Sequence, residues 1–237
     1  MMREFLEEAD QHRDDGYGRA QAHARRNLPK RFYKAAAVEP VEGGFSVTLD
    51  GRPTKTPGGR TIIVPVAPLA TAMAAEWDGQ GDEIDPETMP LVQLVNSAIE
   101  AGPERQQGLR DEVLSYAGND LMLYRADTPR ELVAEQERHW DEALVRLARH
   151  FGVAFQPTVG IIHQPQPEPT LARLSATLQE EGLLALAAMV VITGITGSGL
   201  LALALRHRLL TPDEVWAAAH VDEDHNIRLW GAVEEET

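Results

Sequence analysis

From Leu183 to Leu205 the chain runs 23 positions without a charged residue. Such a stretch has to be buried, either in a bilayer, which needs about 20 apolar residues, or in a protein core. Its middle decides between the two. Gly194, Gly197 and Gly199 alternate there with Thr193, Thr196 and Ser198. Clustered glycines and small hydroxyl residues mark a break between two buried helices rather than one spanning helix. Glu180 and Glu181 flank one end, and no basic anchor precedes the stretch. Enclosing two such helices requires a large core, which 43% hydrophobic residues in 237 can build.

The charge balance then narrows the partners. With 37 acidic residues against 22 Lys plus Arg, the net charge is −15. Phosphate backbones and anionic membrane surfaces are attracted by clustered positive charge, so neither nucleic acid nor membrane insertion is expected. The absence of cysteine excludes disulfides, thiolate nucleophiles and cysteine metal sites, and fits a reducing compartment. Residues 1–31 carry seven basic and six acidic residues and no apolar segment. That composition is neither a secretory signal nor an acid-poor mitochondrial presequence. Residues 1–30 read as a solvated arm of a bacterial cytoplasmic protein.

Periodicity divides the remainder into a sheet and a bundle. Phe45, Val47 and Leu49 alternate with Ser46 and Thr48, the period of a half-buried strand. Gly43-Gly44 before this run and Asp50-Gly51 after it are hairpin signals. Thr61–Val64 is a further strand candidate after Pro57-Gly58-Gly59. From Ala67 the spacing becomes helical. Leu69, Met73 and Trp77 share a face, as do Leu91, Val95 and Ile99. Thr128-Pro-Arg-Glu131 has the form of a capping box with Thr128 at the cap, and Thr211-Pro-Asp-Glu214 repeats it. The first of these opens a helix with Val133, Trp140, Leu144, Leu147 and Phe151 on one side. Residues 156–169 hold four prolines and read as a loop or linker. The expected class is α+β. A small β-rich α/β domain over residues 31–85 precedes a helical bundle domain over residues 86–237 that ends in an acidic tail. Trp77 and Trp140 are expected to be structural.

Chemistry is scarce. No nucleotide-binding loop, zinc-protease helix or serine-nucleophile elbow occurs, and no metal is expected. The best metal candidate is His220–Asn226, where Asp222, Asp224 and Asn226 match the first positions of a calcium loop. Ile227 and Val233 then stand where glycine and glutamate are needed. A metal-dependent hydrolase built on His220, Asp222, Asp224 and His225 is the alternative reading of this segment. A second pattern overlaps it. Trp216, His220, Glu223, Ile227 and Trp230 are spaced 4, 3, 4 and 3. They share one face if the helix starting near Pro212 continues through them. A carboxylate in such a stripe calls either for a core arginine, such as Arg125 or Arg206, or for a partner protein. Residues 213–237 hold eight acids and one arginine, which can steer a basic partner surface.

A larger set of residues is ordered in a familiar way. Arg31-Phe-Tyr-Lys34 is followed by Leu49-Asp-Gly-Arg-Pro53 and Lys55-Thr-Pro57. Then come Glu76-Trp-Asp78 with Gln80, Met89-Pro-Leu91, Gln136 with Trp140-Asp141, Gln164-Pro165, Thr196-Gly-Ser198 and Ile227 with Trp230-Gly231. From about residue 31 to 232 the chain resembles the ATP-twelve family of assembly chaperones for the catalytic sector of ATP synthase. The resemblance implies a small N-terminal α/β unit, a C-terminal orthogonal helical bundle and a monomeric protein without enzyme activity or cofactor. It implies binding of the free alpha subunit, which is kept from aggregating until the beta subunit arrives. It also associates activity with an acidic residue near the C-terminal Trp-Gly. Here that means Asp222, Glu223 or Asp224, beside Trp230 as a partner-binding aromatic. The three acids are not separated by the resemblance, and the helical stripe favours Glu223.

Overall fold

The protein's computed structural model describes residues 28–231; residues 1–27 of the N-terminal arm and residues 232–237 of the acidic tail, Val233 included, lie outside the described residues. The chain forms two compact units that divide between Glu100 and Ala101. The fold is α+β, with a small antiparallel sheet in the first unit and a helical bundle in the second.

The sheet has the order β1 (Ala36–Val41), β2 (Gly44–Leu49), β3 (Arg52–Pro53). Both glycine signals make hairpins. Gly43 turns β1 into β2 at φ +87°, and Asp50 and Gly51 turn β2 into β3 at φ +49° and +77°. Positive φ at two successive central residues matches the right-handed twist of the strands. Pro40 sits in an edge strand, where its missing N–H costs nothing. Two expectations need correction. β2 is the central strand and Ser46 and Thr48 are as buried as Val47 and Leu49, so both its faces are covered. Thr61–Val64 makes only isolated bridges, Lys55 with Thr61 and Phe45 with Val64.

Helix α1 (Ala67–Asp78) packs on β1 and β2 and buries Ala70, Met73 and Ala74. Leu69 and Trp77 are half-buried at the flank of that face. Tyr33 Oη donates to the Trp77 carbonyl at 2.6 Å, and the two rings meet edge to face. Glu76 in α1 accepts the backbone N–H groups of Leu91 and Val92 at 2.8 and 2.9 Å. It thereby satisfies orphan donors at the start of α2 (Pro90–Ala101). The other end of α2 is held by Glu100, which accepts from Thr56 and from Gly58 N–H.

The second unit contains α3 (Gln106–Gly118), β4 (Tyr124–Arg125), α4 (Arg130–Gln136) and α5 (Glu142–Phe151). It continues with β5 (Thr158–Val159), α6 (Glu168–Gln179), α7 (Leu183–Thr196), α8 (Gly199–Arg206), α9 (Pro212–Ala219) and α10 (Val221–Trp230). The uncharged stretch is two helices. α7 ends at Gly197 with φ +66°, Ser198 caps α8, and both pack on α3. Among the described residues no helix is long and apolar enough to cross a membrane. The capping box at Thr211 is present in full. The one expected at Thr128 is not. Pro129 occupies the cap position of α4 without a side-chain cap. A π-turn at Glu137–Asp141 joins α4 to α5 and places Gln136, Trp140, Leu144, Leu147 and Phe151 inward. Part of the proline-rich linker is paired, since β5 lies parallel to β4.

The junction of α7 and α8 rests on a buried carboxylate. Asp120, fully buried, accepts from Ser198 Oγ at 2.7 Å, from Leu200 N–H at 2.9 Å and from Met122 N–H at 3.2 Å. Burial pushes its pKa up to about 7, against the pull of these donors, which favour the charged form. Gly199 beside it has no room for a side chain, because a Cβ would stand 2.4 Å from the Val113 carbonyl and 2.7 Å from Ala117 N. Asp120→Ala is expected to cost about 3–5 kcal/mol, because buried donors lose their acceptor. Gly199→Ala is expected to cost about 1–3 kcal/mol through overpacking. Urea unfolding measures both, and parent-like midpoints would contradict this packing.

Candidate functional site

The C-terminal helices carry the residues singled out by the sequence. α9 and α10 are separate, since His220 leaves helical geometry between them at φ −106°, ψ +14°. The condition for the five residues to share one helical face, a single helix from Pro212 through Trp230, is therefore not met. Contacts across the break nevertheless keep the row together. The Trp216 ring stacks on His220 at 3.9 Å between centroids, and His220 Nε2 lies 3.7 Å from the Glu223 carboxylate. Ile227 and Trp230 follow four and seven positions after Glu223 on the same face of α10. This row is open to solvent. Trp230 is 84% exposed, Trp216 59% and Ile227 49%. Leu229 beside it is also exposed. Isolated exposed apolar side chains are ordinary, but here two tryptophans and two aliphatic residues of adjoining helices are exposed together.

The three acids of this segment separate in role. Asp222 is exposed like its two neighbours but is tied to the bundle, accepting from Gln136 Nε2 at 2.8 Å. Glu223 is largely exposed, and the core arginine expected as one possible partner is absent. Arg125 pairs with Asp141 at 2.8 Å and Arg206 with Glu181 at 2.8 Å. Asp224 is exposed one position further on.

Behind the row lies a polar network that the sequence did not reveal. Gln136, buried in α4, accepts Ala126 N–H through Oε1 at 2.8 Å and gives Nε2 to Asp222. Its carbonyl accepts from Arg125 Nη1 at 3.2 Å, and the Arg125 guanidinium lies 5.2 Å from the Trp140 ring centroid. Trp140, completely buried, donates Nε1–H to the Ala218 carbonyl at 2.7 Å, which fixes the end of α9. These bonds set the platform from which α10 projects. The Gln136, Trp140 and Asp141 spacing was visible in the sequence, but not its link to Asp222, 86 positions away.

The hydrolase alternative finds no support. His220 Nδ1 faces the Trp216 carbonyl, Asp222 faces Gln136, and His225 is buried. Among the described residues no three His, Asp or Glu side chains come close enough to hold a metal ion.

Comparison with known proteins gives this geometry a context. Residues 30–148 match the model of the ATP12 chaperone protein family. The chain belongs to that family. A solved structure from Agrobacterium tumefaciens, described as a candidate chaperone, superposes with a TM-score of 0.82 at 40% identity. The match covers 88% of this chain and 78% of that one. Atp12 of Paracoccus denitrificans superposes with a TM-score of 0.81 at 33% identity, covering 87% and 89%. An aspartate-to-lysine variant of that protein matches with the same TM-score. The mitochondrial protein atp12 of Schizosaccharomyces pombe is 24% identical over 218 residues, 87% of this chain and 75% of its own. The region matched by the ATP12 family model ends within α5, before the Trp216–Trp230 row.

The division of labour between the acids is testable. Asp222→Ala is expected to lower stability by about 0.5–1.5 kcal/mol, because Gln136 loses an acceptor. Glu223→Ala is expected to leave the melting temperature unchanged. Thermal melts of the two variants beside the parent check this, and equal destabilisation would contradict the assignment.

Proposed function

We propose that this ATP12-family protein is an assembly chaperone for the catalytic sector of ATP synthase, holding the free alpha subunit until it joins the beta subunit. Family membership supports the chaperone role, and the exposed Trp216–Trp230 row carries the assignment of the client surface. An unassembled subunit exposes apolar surface meant for its neighbours, and such surface aggregates. A chaperone has to cover that surface and later yield it. A few aromatic anchors around a carboxylate, on the ends of two short helices, suit an interface of moderate affinity. Trp230 and Trp216 supply the apolar contact. Glu223, with Asp224 beside it, supplies an acceptor for an arginine or a backbone N–H of the client. Asp222 serves from behind by fixing α10. The reading requires no nucleotide on the chaperone, and it places the protein in a bacterial cytoplasm as a monomer.

The test is suppression of light scattering by denatured alpha subunit, diluted into buffer without nucleotide. The parent is expected to suppress aggregation at near-stoichiometric ratio. Trp230→Ala is expected to weaken binding by about 2 kcal/mol or more while leaving the melting temperature unchanged. Glu223→Gln is expected to lose about tenfold in affinity at low salt with the same stability. Parent-like affinity in both variants would move the client surface elsewhere, and a strict need for ATP on this protein would overturn the reading.

A further inference from the structure

In a chain of net charge −15, residues 30–60 reverse the sign. They contain six basic residues, Lys30, Arg31, Lys34, Arg52, Lys55 and Arg60, against three acidic ones, Glu39, Glu42 and Asp50. Two of these basic residues, Arg52 and Lys55, line a cavity of about 460 Å³ in the first unit, a size suited to a short segment of ligand. Phe32, Tyr33 and Trp77 give it aromatic walls, and Arg52 and Lys55 stand on the β3 side. Phe32 is 74% exposed although it lies against the Tyr33 ring, 5.3 Å between centroids. An aromatic side chain left in solvent at the mouth of a cavity is poised to cover something.

The hydrogen-bonding capacity left at this cavity is of one kind. Asp50, its one acid, is already used, accepting Lys34 and Ala35 N–H groups at 3.1 Å. Tyr33 Oη and Thr54 Oγ1 donate to the Trp77 and Val47 carbonyls. The side chains of Arg52 and Lys55 are exposed, without an ion-pair partner among the described residues. The Trp77 indole N–H has no acceptor but is closed to solvent, so the accessible free donors are those of Arg52 and Lys55. Donors without acceptors, on aromatic walls, select a ligand rich in acceptors and carrying an apolar group.

We infer that the Phe32–Trp77 cavity is a second client-binding site, which takes an extended acidic segment of polypeptide. A Glu or Asp carboxylate of that segment pairs with Arg52 and Lys55, and a neighbouring apolar side chain lies on Phe32 and Trp77. This rests on the reading that the protein holds a client polypeptide, and it gives the two units clients' surfaces of opposite sign. The acidic row of α10 attracts basic groups, and the β3 edge attracts acidic ones.

The probe is a fluorescent decapeptide of alternating leucine and glutamate, blocked at both ends, titrated into the full chain. Counterparts carry glutamine or lysine in place of glutamate. The glutamate peptide is expected to bind, to weaken with added salt and to shift the Trp77 indole N–H resonance among the four tryptophan signals. Arg52→Glu with Lys55→Glu, both at exposed positions, is expected to keep the parent's melting temperature and to lose tenfold or more in affinity. Equal binding of the glutamine peptide, an unshifted Trp77 resonance or an unaffected double variant would overturn the proposal. So would displacement of the peptide by an equal concentration of inorganic phosphate, which would make the cavity a small-anion site. Peptide binding is read apart from aggregation of the alpha subunit, so failure of the client assignment leaves this result legible.

Discussion

The helical unit is organised around the carboxylate of Asp120. α7 and α8 together present a run of uncharged residues that must be buried, and a turn between them exposes backbone donors in the core. A buried N–H without an acceptor costs as much as a lost hydrogen bond. Asp120 answers that cost at the cap of α8, binding Ser198 and Leu200 while holding Met122 in the preceding turn. Gly199 then lets α8 approach α3 until backbone meets backbone. α7 and α8 each contact α3, and α8 also contacts α5 and α9, so three further helices of the bundle meet this joint.

The exposed row at the C-terminus depends on that rigidity at one remove. α9 follows α8 and is fixed by Trp140 through the Ala218 carbonyl. α10 is fixed by Gln136 through Asp222. Both anchors come from the α4–π-turn–α5 segment, where the wide turn lets Gln136 and Trp140 both face inward. Trp216, Glu223 and Trp230 are thus surface groups on a supported frame. That arrangement suits a protein whose task is contact, since preorganised side chains lose little entropy on binding. The family to which the chain belongs is one of chaperones.

The sheet unit follows a different physical logic. Its strands are short, and its covering helix α1 buries small residues around Met73. Glu76 and Glu100 then tie α2 at both ends through backbone N–H groups. Charged groups here do the work of capping, which leaves Arg52 and Lys55 outside the network at the sheet edge.

Much of this was legible from local pattern. The break at Gly197, the Asp50-Gly51 hairpin, the Thr211 capping box and the burial of Trp140 each follow from a few neighbouring residues, because turns, caps and helix faces are set by local geometry. The family could be read from the order of short motifs. Three local readings failed where tertiary contacts overrode propensity. Thr128 does not cap α4, Thr61–Val64 does not form a strand, and the helix from Pro212 stops at His220. The roles of the acids were beyond the sequence. Asp222, Glu223 and Asp224 are chemically near-equivalent neighbours, and only the position of Gln136 decides which one is tied to the bundle. Asp120 gave no signal at all, since its partner Ser198 lies 78 residues away. Sequence determined the elements and the uncharged core they must enclose. Tertiary structure decided which polar groups meet inside it, because hydrogen bonds between distant segments have no period along the chain.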